Sequence, residues 1–414
     1  MRYKVSHIGE IESTPFFLVD EYKILQSVAL IKDSLSQYWP NSVLSYSVKT
    51  NSMPCILRVL ARLGVWAEVV SEYEYKLSRA CGFNAERCIC NGPFKSKSFI
   101  NTALNNDAIL NLDGLSEVKA VVDSLGGRCV KIGVRINATE PDFPVEALCG
   151  FNGSRFGLSV RDGEMDDLLN LLSKNPNVIL TALHLHCNTR HRSVEGFSWL
   201  ASFFSRLIYK YGLTSVDTFD IGGSFGHDFD CATNHPGRWP TWDDYFGAIS
   251  KTLKQEGFDP SRLRLVIEPG SALISNAAEY YATIVGRRVF DGRIMMQMDG
   301  SRIHIDPHFA RTSFKDGVSL FEAHSESNSL EAKLICGSSC LEKDRVEFGD
   351  ANFKCAVGDR IVFNKAGAYT YGMSPLLFIQ PSPDVWLKKA NGDIMLVHKK
   401  MLFEEIGHLM EGKN

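Results

Sequence analysis

The feature that most constrains the fold is a rhythm. From about Phe16 to Ser271, short β-type runs alternate with helix-type segments. The runs SVLSYSV, VKIGVRI, VILTALHLH, VDTFDIG and LRLVIEP each stop where polar or glycine residues begin, and stretches such as SEYEYKLSRACG lie between them. Such alternation is what parallel strands joined by crossover helices require. A span of about 250 residues is the usual size of an eight-stranded β/α barrel. The expected fold class is therefore α/β, with a TIM-like barrel over residues 24–271 and any chemistry at the C-terminal ends of its strands.

After Ser271 the pattern becomes β-rich: EYYATIVGRRVF, GRIMMQM, EAKLICG, DRIVFNKAGAYTY and GDIMLVHK, divided by turn signals such as Asp291-Gly292 and Asn391-Gly392. Residues 272–414 are expected to form a second, mostly β domain, joined by the strand-like residues 1–23. The barrel is then an insertion between the two parts of that domain. A length of 414 residues agrees, since it exceeds what one core usually organises.

Lys+Arg 45 against Asp+Glu 48 gives a net charge of -3, and no basic run makes a footprint for nucleic acid. A small-molecule partner is expected. MRYKVSHIGEIES lacks the apolar core of a signal peptide, and no stretch approaches the roughly 18 apolar residues of a spanning helix, so the chain reads as cytoplasmic, without a membrane partner. Of eleven cysteines, neither Cys88-Ile-Cys90 nor Cys336 to Cys340 has zinc-ribbon spacing. Mostly buried free thiols are expected.

Six strand ends carry candidate chemistry. Lys49 follows Val43–Val48; it is either a solvated lysine or one that forms a Schiff base with a cofactor aldehyde. Asp220-Ile-Gly-Gly-Ser-Phe-Gly226 is either a tight turn or a loop whose N–H groups approach a phosphate. Glu268, in Ile267-Glu-Pro-Gly270, is either a surface carboxylate or the partner of a ring nitrogen. His184-Leu-His186 places two imidazoles on one side of a strand, for zinc, ring stacking or core packing; with no third ligand at metal spacing, zinc ranks last and no metal is expected. Gly337-Ser-Ser-Cys340-Leu-Glu-Lys-Asp344 and Gly367-Ala-Tyr369 follow β-runs of the second domain.

Taken in order, these residues resemble the fold-type III pyridoxal-phosphate decarboxylases, the family of diaminopimelate, ornithine and arginine decarboxylases, with alanine racemase among its relatives. The resemblance runs through Tyr46-Ser-Val-Lys49-Thr-Asn51, Glu68-Val-Val-Ser71 to Glu74, Asn91-Gly-Pro-Phe-Lys95, Arg135-Ile-Asn137, Ser154-Arg-Phe-Gly157, His184-Leu-His186, Gly222-Gly223, Glu268-Pro-Gly270, Cys340 with Asp344, and Gly367-Ala-Tyr369. It implies an alanine racemase-like barrel and pyridoxal 5'-phosphate as cofactor, held covalently by Lys49. It also implies that His186 stacks on the cofactor ring, that the glycine loop and Tyr369 hold the phosphate, and that Glu68, Arg135, Thr189, Ser224, Gly270 and Ser271 complete the binding set. Glu268 would pair with the ring nitrogen. A carboxylate there keeps the ring protonated and favours decarboxylation, whereas alanine racemase places an arginine. Cys340 from a second subunit would supply the proton to Cα, which implies a homodimer with active sites at the interface.

Departures from the family pattern are equally specific. Ser224 stands for the third loop glycine, Ser271 for the arginine after Glu-Pro-Gly, Asn188 for the glycine between His186 and Thr189, and Leu341 for the acid that meets a distal amine. With Asp299-Gly-Ser-Arg-Ile-His304 and Met373-Ser-Pro-Leu-Leu-Phe378, they look like the siderophore and antibiotic branch, whose substrates are conjugated amino acids. Arg302, His304 and Arg311 would then face an anionic citryl group, with Glu342 and Asp344 as further substrate contacts. The expected function is decarboxylation of such a conjugate in siderophore-type biosynthesis. The alternatives are ordinary diaminopimelate or ornithine/lysine decarboxylation and, in another class, a non-catalytic cofactor-binding homologue, which the changes at Ser224 and Ser271 permit.

Overall fold

The computed structural model describes residues 4–144, 154–189, 191–226, 238–311, 313–314, 317–323, 329–349, 351–374, 379, 381–401 and 405. They divide into two compact units, one from Gln26 to Leu273 and the other made of the residues up to Leu25 and from Ile274 onward. Pro375–Phe378, at the end of the tyrosine-motif tail, lies outside the described residues.

The first unit is a closed parallel barrel of eight strands: β1 (Ser42–Ser47), β2 (Trp66–Val69), β3 (Cys88–Cys90), β4 (Ile109–Leu112), β5 (Val130–Ile136), β6 (Val178–Leu185), β7 (Thr218–Asp220) and β8 (Arg264–Ile267). Closure comes from β8 lying parallel to β1, with Val266 opposite Val43. Helix α1 (Glu21–Tyr38) leads into β1. The crossovers are α2 (Pro54–Arg62), α3 (Glu72–Ala80), α4 (Lys97–Asn105), α5 (Leu115–Ser124), α6 (Glu164–Ser173), α7 (Val194–Tyr211) and α8 (Trp242–Gln255).

Strands this short are possible because each is covered on both faces; every residue of β3 and β7 is buried. The chain enters several of the helices through a polar cap, such as the Ser193 side chain accepting from Gly196 N–H and the reciprocal Thr241–Asp244 capping box. Trp39 is fully buried, and its Nε1–H donates to the Leu263 carbonyl at 2.8 Å, fixing the entry to β1 beside the entry to β8. Polar residues placed just past the strand ends therefore converge on one mouth.

In the second unit, strand Ala278–Phe290 pairs antiparallel with Phe16–Asp20, Arg293–Met298 and Arg360–Phe363. Phe16, Leu18, Tyr281, Val362 and Trp386 form its core, with the Phe16 and Tyr281 rings stacked at 4.7 Å. Two β-runs end differently from the sequence reading. EAKLICG splits into Leu330–Ala332 and Leu334–Cys336, which pair in separate sheets. DRIVFNKAGAYTY stays a strand only to Phe363, because Lys365 (φ 58°) and Tyr369 (φ 54°) adopt left-handed backbone that no strand continues.

Candidate active site

At the barrel mouth six strand ends contribute one hydrogen-bonded network. Glu68, closing β2, accepts from Ser47 Oγ at 2.6 Å, Lys49 Nζ at 2.8 Å and Asn91 Nδ2 at 3.2 Å. Asn91 Nδ2 also donates to Glu268 Oε1 at 2.7 Å. Asn111 Nδ2 joins Asn91 Oδ1 at 2.9 Å to Asp220 Oδ2 at 3.0 Å. Lys49 itself sits in a one-turn 3-10 helix, Val48–Thr50, directly after β1. Its amine lies between Ser47 Oγ and Glu68, while its side chain is 45% exposed. The lysine is thus anchored at the mouth yet reachable, as a covalent cofactor link requires.

Electrostatics single out Glu268. It is raised well above the usual carboxylate range, first by burial, then by the Asp220 and Glu68 carboxylates, with Lys49 pulling the other way. Asp220, against it, is raised to about 7, mainly by burial. At neutral pH the pair therefore holds a proton. The two imidazoles are held well below their ordinary range, first by burial and then by the Arg135 guanidinium, so both are neutral. Neither nitrogen of His184, nor Nδ1 of His186, has a hydrogen-bond partner among the described residues; His184 Nε2 stands 3.7 Å from Glu268 Oε2. Arg135, in β5, lies over the Phe156 ring at 4.6 Å and 3.9 Å from Asp113.

The loop after β7 is built for close approach. Gly222 has φ 72°, and a Cβ there would stand 2.6 Å from His186 Nδ1; a Cβ on Gly223 would stand 2.5 Å from the Glu268 carbonyl. Ser224 keeps the left-handed backbone of a glycine position, φ 69°. Gly270 packs against Thr50, and Ser271 opens the short helix Ser271–Ile274. Buried Thr189 uses its Oγ1 to accept from Ser193 N–H at 3.0 Å, at the cap of α7. A proton-holding carboxylate pair, unpartnered imidazoles and a glycine cradle suit a heteroaromatic ring with a basic nitrogen and an anionic tail, and pyridoxal phosphate fits them.

Spacing along the chain does not show which potential ligands meet at this mouth. His184, Asp220 and Glu268 bring ligand atoms within 4.8 Å of one another, from three strands that no sequence spacing connects. Sequence reasoning also missed Asn111 and Arg192; single polar residues inside or just beyond short apolar runs leave no pattern to find.

In the second unit, three expected substrate contacts are occupied by structural work. The Arg302 guanidinium is buried and donates to Asp306 Oδ2 at 3.0 and 2.7 Å, to the Arg345 carbonyl at 3.0 Å and to the Arg311 carbonyl at 2.6 Å. His304 Nδ1 is bonded to Tyr280 Oη at 2.8 Å, and burial lowers its pKa to about 4, so it carries no charge for a citryl group. Asp344 is buried and accepts from Arg302 N–H, Ser301 Oγ and Ser339 N–H, holding the loop that carries Cys340. Arg311 lies over the Phe314 ring at 5.5 Å. Cys340 and Glu342 are exposed, and Tyr369 is 41% exposed. Of the nine described cysteines five are buried and all are free, with Cys55 and Cys88 each raised to about 12, mainly by burial.

Comparison with known proteins bears directly on this site. Residues 23–275 match the family model "Pyridoxal-dependent decarboxylase, pyridoxal binding domain". A probable chloroplastic diaminopimelate decarboxylase of Oryza sativa subsp. japonica is 23% identical over 406 residues, covering 96% of this chain and 80% of that protein. An L-glutamyl-[BtrI acyl-carrier protein] decarboxylase of Niallia circulans is 23% identical over 415 residues, covering 95% and 92%. The fold is that of the Helicobacter pylori diaminopimelate decarboxylase crystallised with L-lysine, at TM-score 0.82 and 21% identity over 98% of this chain and 99% of that one. With the family model covering the whole barrel and its mouth, the chain belongs to the pyridoxal-dependent decarboxylases and is a pyridoxal-phosphate-dependent amino-acid decarboxylase.

Proposed function

We propose that the protein is a cytoplasmic homodimer that removes the α-carboxylate of a free diamino acid of the diaminopimelate type. The observation that carries the chemistry is the buried Glu268–Asp220 pair, joined through Asn91 and Glu68 to the Lys49 amine. When bound, the cofactor supplies an electron sink for the carbanion left by loss of CO₂. Lys49 would hold it through its aldehyde carbon, Glu268 would keep the proton on the ring nitrogen, and His186 would pack against the ring. Arg135 and Glu68 frame the ring edge. The N–H groups of Gly223 and Ser224 would be offered to the cofactor phosphate, since the Gly222 N–H is spent on Asp220 Oδ1 at 3.0 Å, with Thr189, Gly270 and Ser271 beside them. Exposed Cys340 of a second copy delivers the proton to Cα.

The substrate class follows from what the second unit leaves available. The citryl reading draws on Arg302, His304 and Arg311, but Arg302 already donates four hydrogen bonds and His304 is neutral, which leaves Arg311 alone for the anion. Glu342 is exposed and can meet a distal ammonium, and several relatives bear the name diaminopimelate decarboxylase. Leu341, in the family's acidic position, favours a second reading, a carrier-bound aminoacyl substrate like that named for the Niallia circulans relative. Competition kinetics of CO₂ release would decide: with equal diaminopimelate and a carrier-bound glutamate, diaminopimelate is expected to be consumed first. Preference for the carrier-bound compound would overturn the first reading.

A further inference from the structure

Two of the departures from the family pattern are physically one feature. Asn188 and Ser224 both stand where the family has glycine, and a glycine at either place offers no side-chain acceptor. The structure links them through Arg192. Its Nη1 donates to Asn188 Oδ1 and, at 3.0 Å, to Ser224 Oγ. The backbone is shaped to match. Arg192 has φ 50° and Ser224 φ 69°, both left-handed conformations that non-glycine residues adopt only when their surroundings impose them. Tyr245 ties the two segments together: its Oη donates to the Arg192 carbonyl and accepts from Gly226 N–H at 3.1 Å. A Cβ on Gly226 would stand 2.8 Å from Arg192 Cβ, so the arginine segment and the glycine loop are in direct contact.

The guanidinium is therefore held at the rim of the glycine loop. Its planar fork is suited to phosphate oxygens. The same chain lacks the arginine the family has after Glu-Pro-Gly, where Ser271 stands. We propose that Arg192, oriented by Asn188 and Ser224, binds the cofactor phosphate, so that this enzyme takes its phosphate-binding cation from the segment between β6 and α7. The inference rests on the reading of the glycine loop as the phosphate site. Asn188 and Ser224 are positioning residues in this arrangement.

The test compares two ligands that differ only in the phosphate. Cofactor-free protein is titrated with pyridoxal 5'-phosphate and with pyridoxal, following the visible absorbance of the bound compound, for wild type, Arg192→Met and the Asn188→Gly/Ser224→Gly double variant. Losing a charge-assisted contact should weaken pyridoxal 5'-phosphate binding of Arg192→Met about 10–100-fold and leave pyridoxal binding unchanged, which also shows that the variant is folded. The double variant keeps the arginine but not its tethers, and should lose part of the same preference. An unchanged ratio of the two affinities in Arg192→Met would overturn the proposal. Wild-type protein that takes up neither compound would refute the cofactor reading on which it rests.

Discussion

Replacing Glu268 by glutamine isolates one charge in an otherwise preserved site. The glutamine keeps the length of the side chain and an acceptor for Asn91 Nδ2, now 2.7 Å from Glu268 Oε1. The cofactor should therefore still bind, since the lysine, the glycine loop and the stacking imidazole are untouched. What is lost is the negative charge that, on the proposed reading, would hold a proton on the ring nitrogen. Two unit charges about 4 Å apart at an effective dielectric of about 20 attract by about 4 kcal/mol. Removing one preorganised electrostatic partner typically costs about 2.7–4 kcal/mol, or about 10²–10³ in turnover. The assay is CO₂ release at saturating substrate, alongside cofactor content per chain. Full cofactor content with turnover reduced about 100-fold or more is the expected result. Turnover within a few-fold of wild type would refute the assignment and move the electron-sink partner elsewhere.

Three other outcomes follow from the same structure. Arg302→Ala leaves buried Asp306 without its partner and should destabilise the protein by about 3–5 kcal/mol in chemical unfolding; a large rise in KM without loss of stability would restore Arg302 as a substrate contact. Gly222→Ala forces a Cβ to within 2.6 Å of His186 Nδ1 at φ 72°, so cofactor content should fall, and full loading would show that the loop yields. Glu268 and Asp220 bind protons more tightly in the folded than in the unfolded chain, so their contribution to cofactor-free stability is lost as pH rises from about 4 to about 7. The difference between wild-type and Glu268→Gln unfolding curves should fall with pH across that window, and a difference that rises would reverse the sign of the Glu268 shift.

What the sequence shows of this molecule follows from burial. A parallel barrel strand is covered on both faces, so it appears as an apolar run, and the first polar residue after it marks the mouth; Lys49, Glu268 and the loop from Gly222 are visible for that reason. Asn111 and Asp220 were harder to see as partners, because each lies within its own short strand and their meeting depends on the closed barrel bringing β4 and β7, which do not pair, to the same mouth. Arg302 was misread because an arginine near a suspected substrate site suggests an anion. The i,i+4 spacing of Arg302 and Asp306 was present in the sequence as a signal of the ion pair that holds it. Asp344 is the converse: adjacent to the cysteine motif, it accepts hydrogen bonds from Arg302 N–H and Ser339 N–H that brace that loop.

The most direct test of the account is where the cofactor attaches. Protein loaded with pyridoxal 5'-phosphate, treated with borohydride and digested, should yield a single pyridoxyl-labelled peptide carrying the label on Lys49, the amine held between Ser47 Oγ and Glu68. A label on another lysine, or no label on a folded protein, would contradict the assignment of the barrel mouth as the active site.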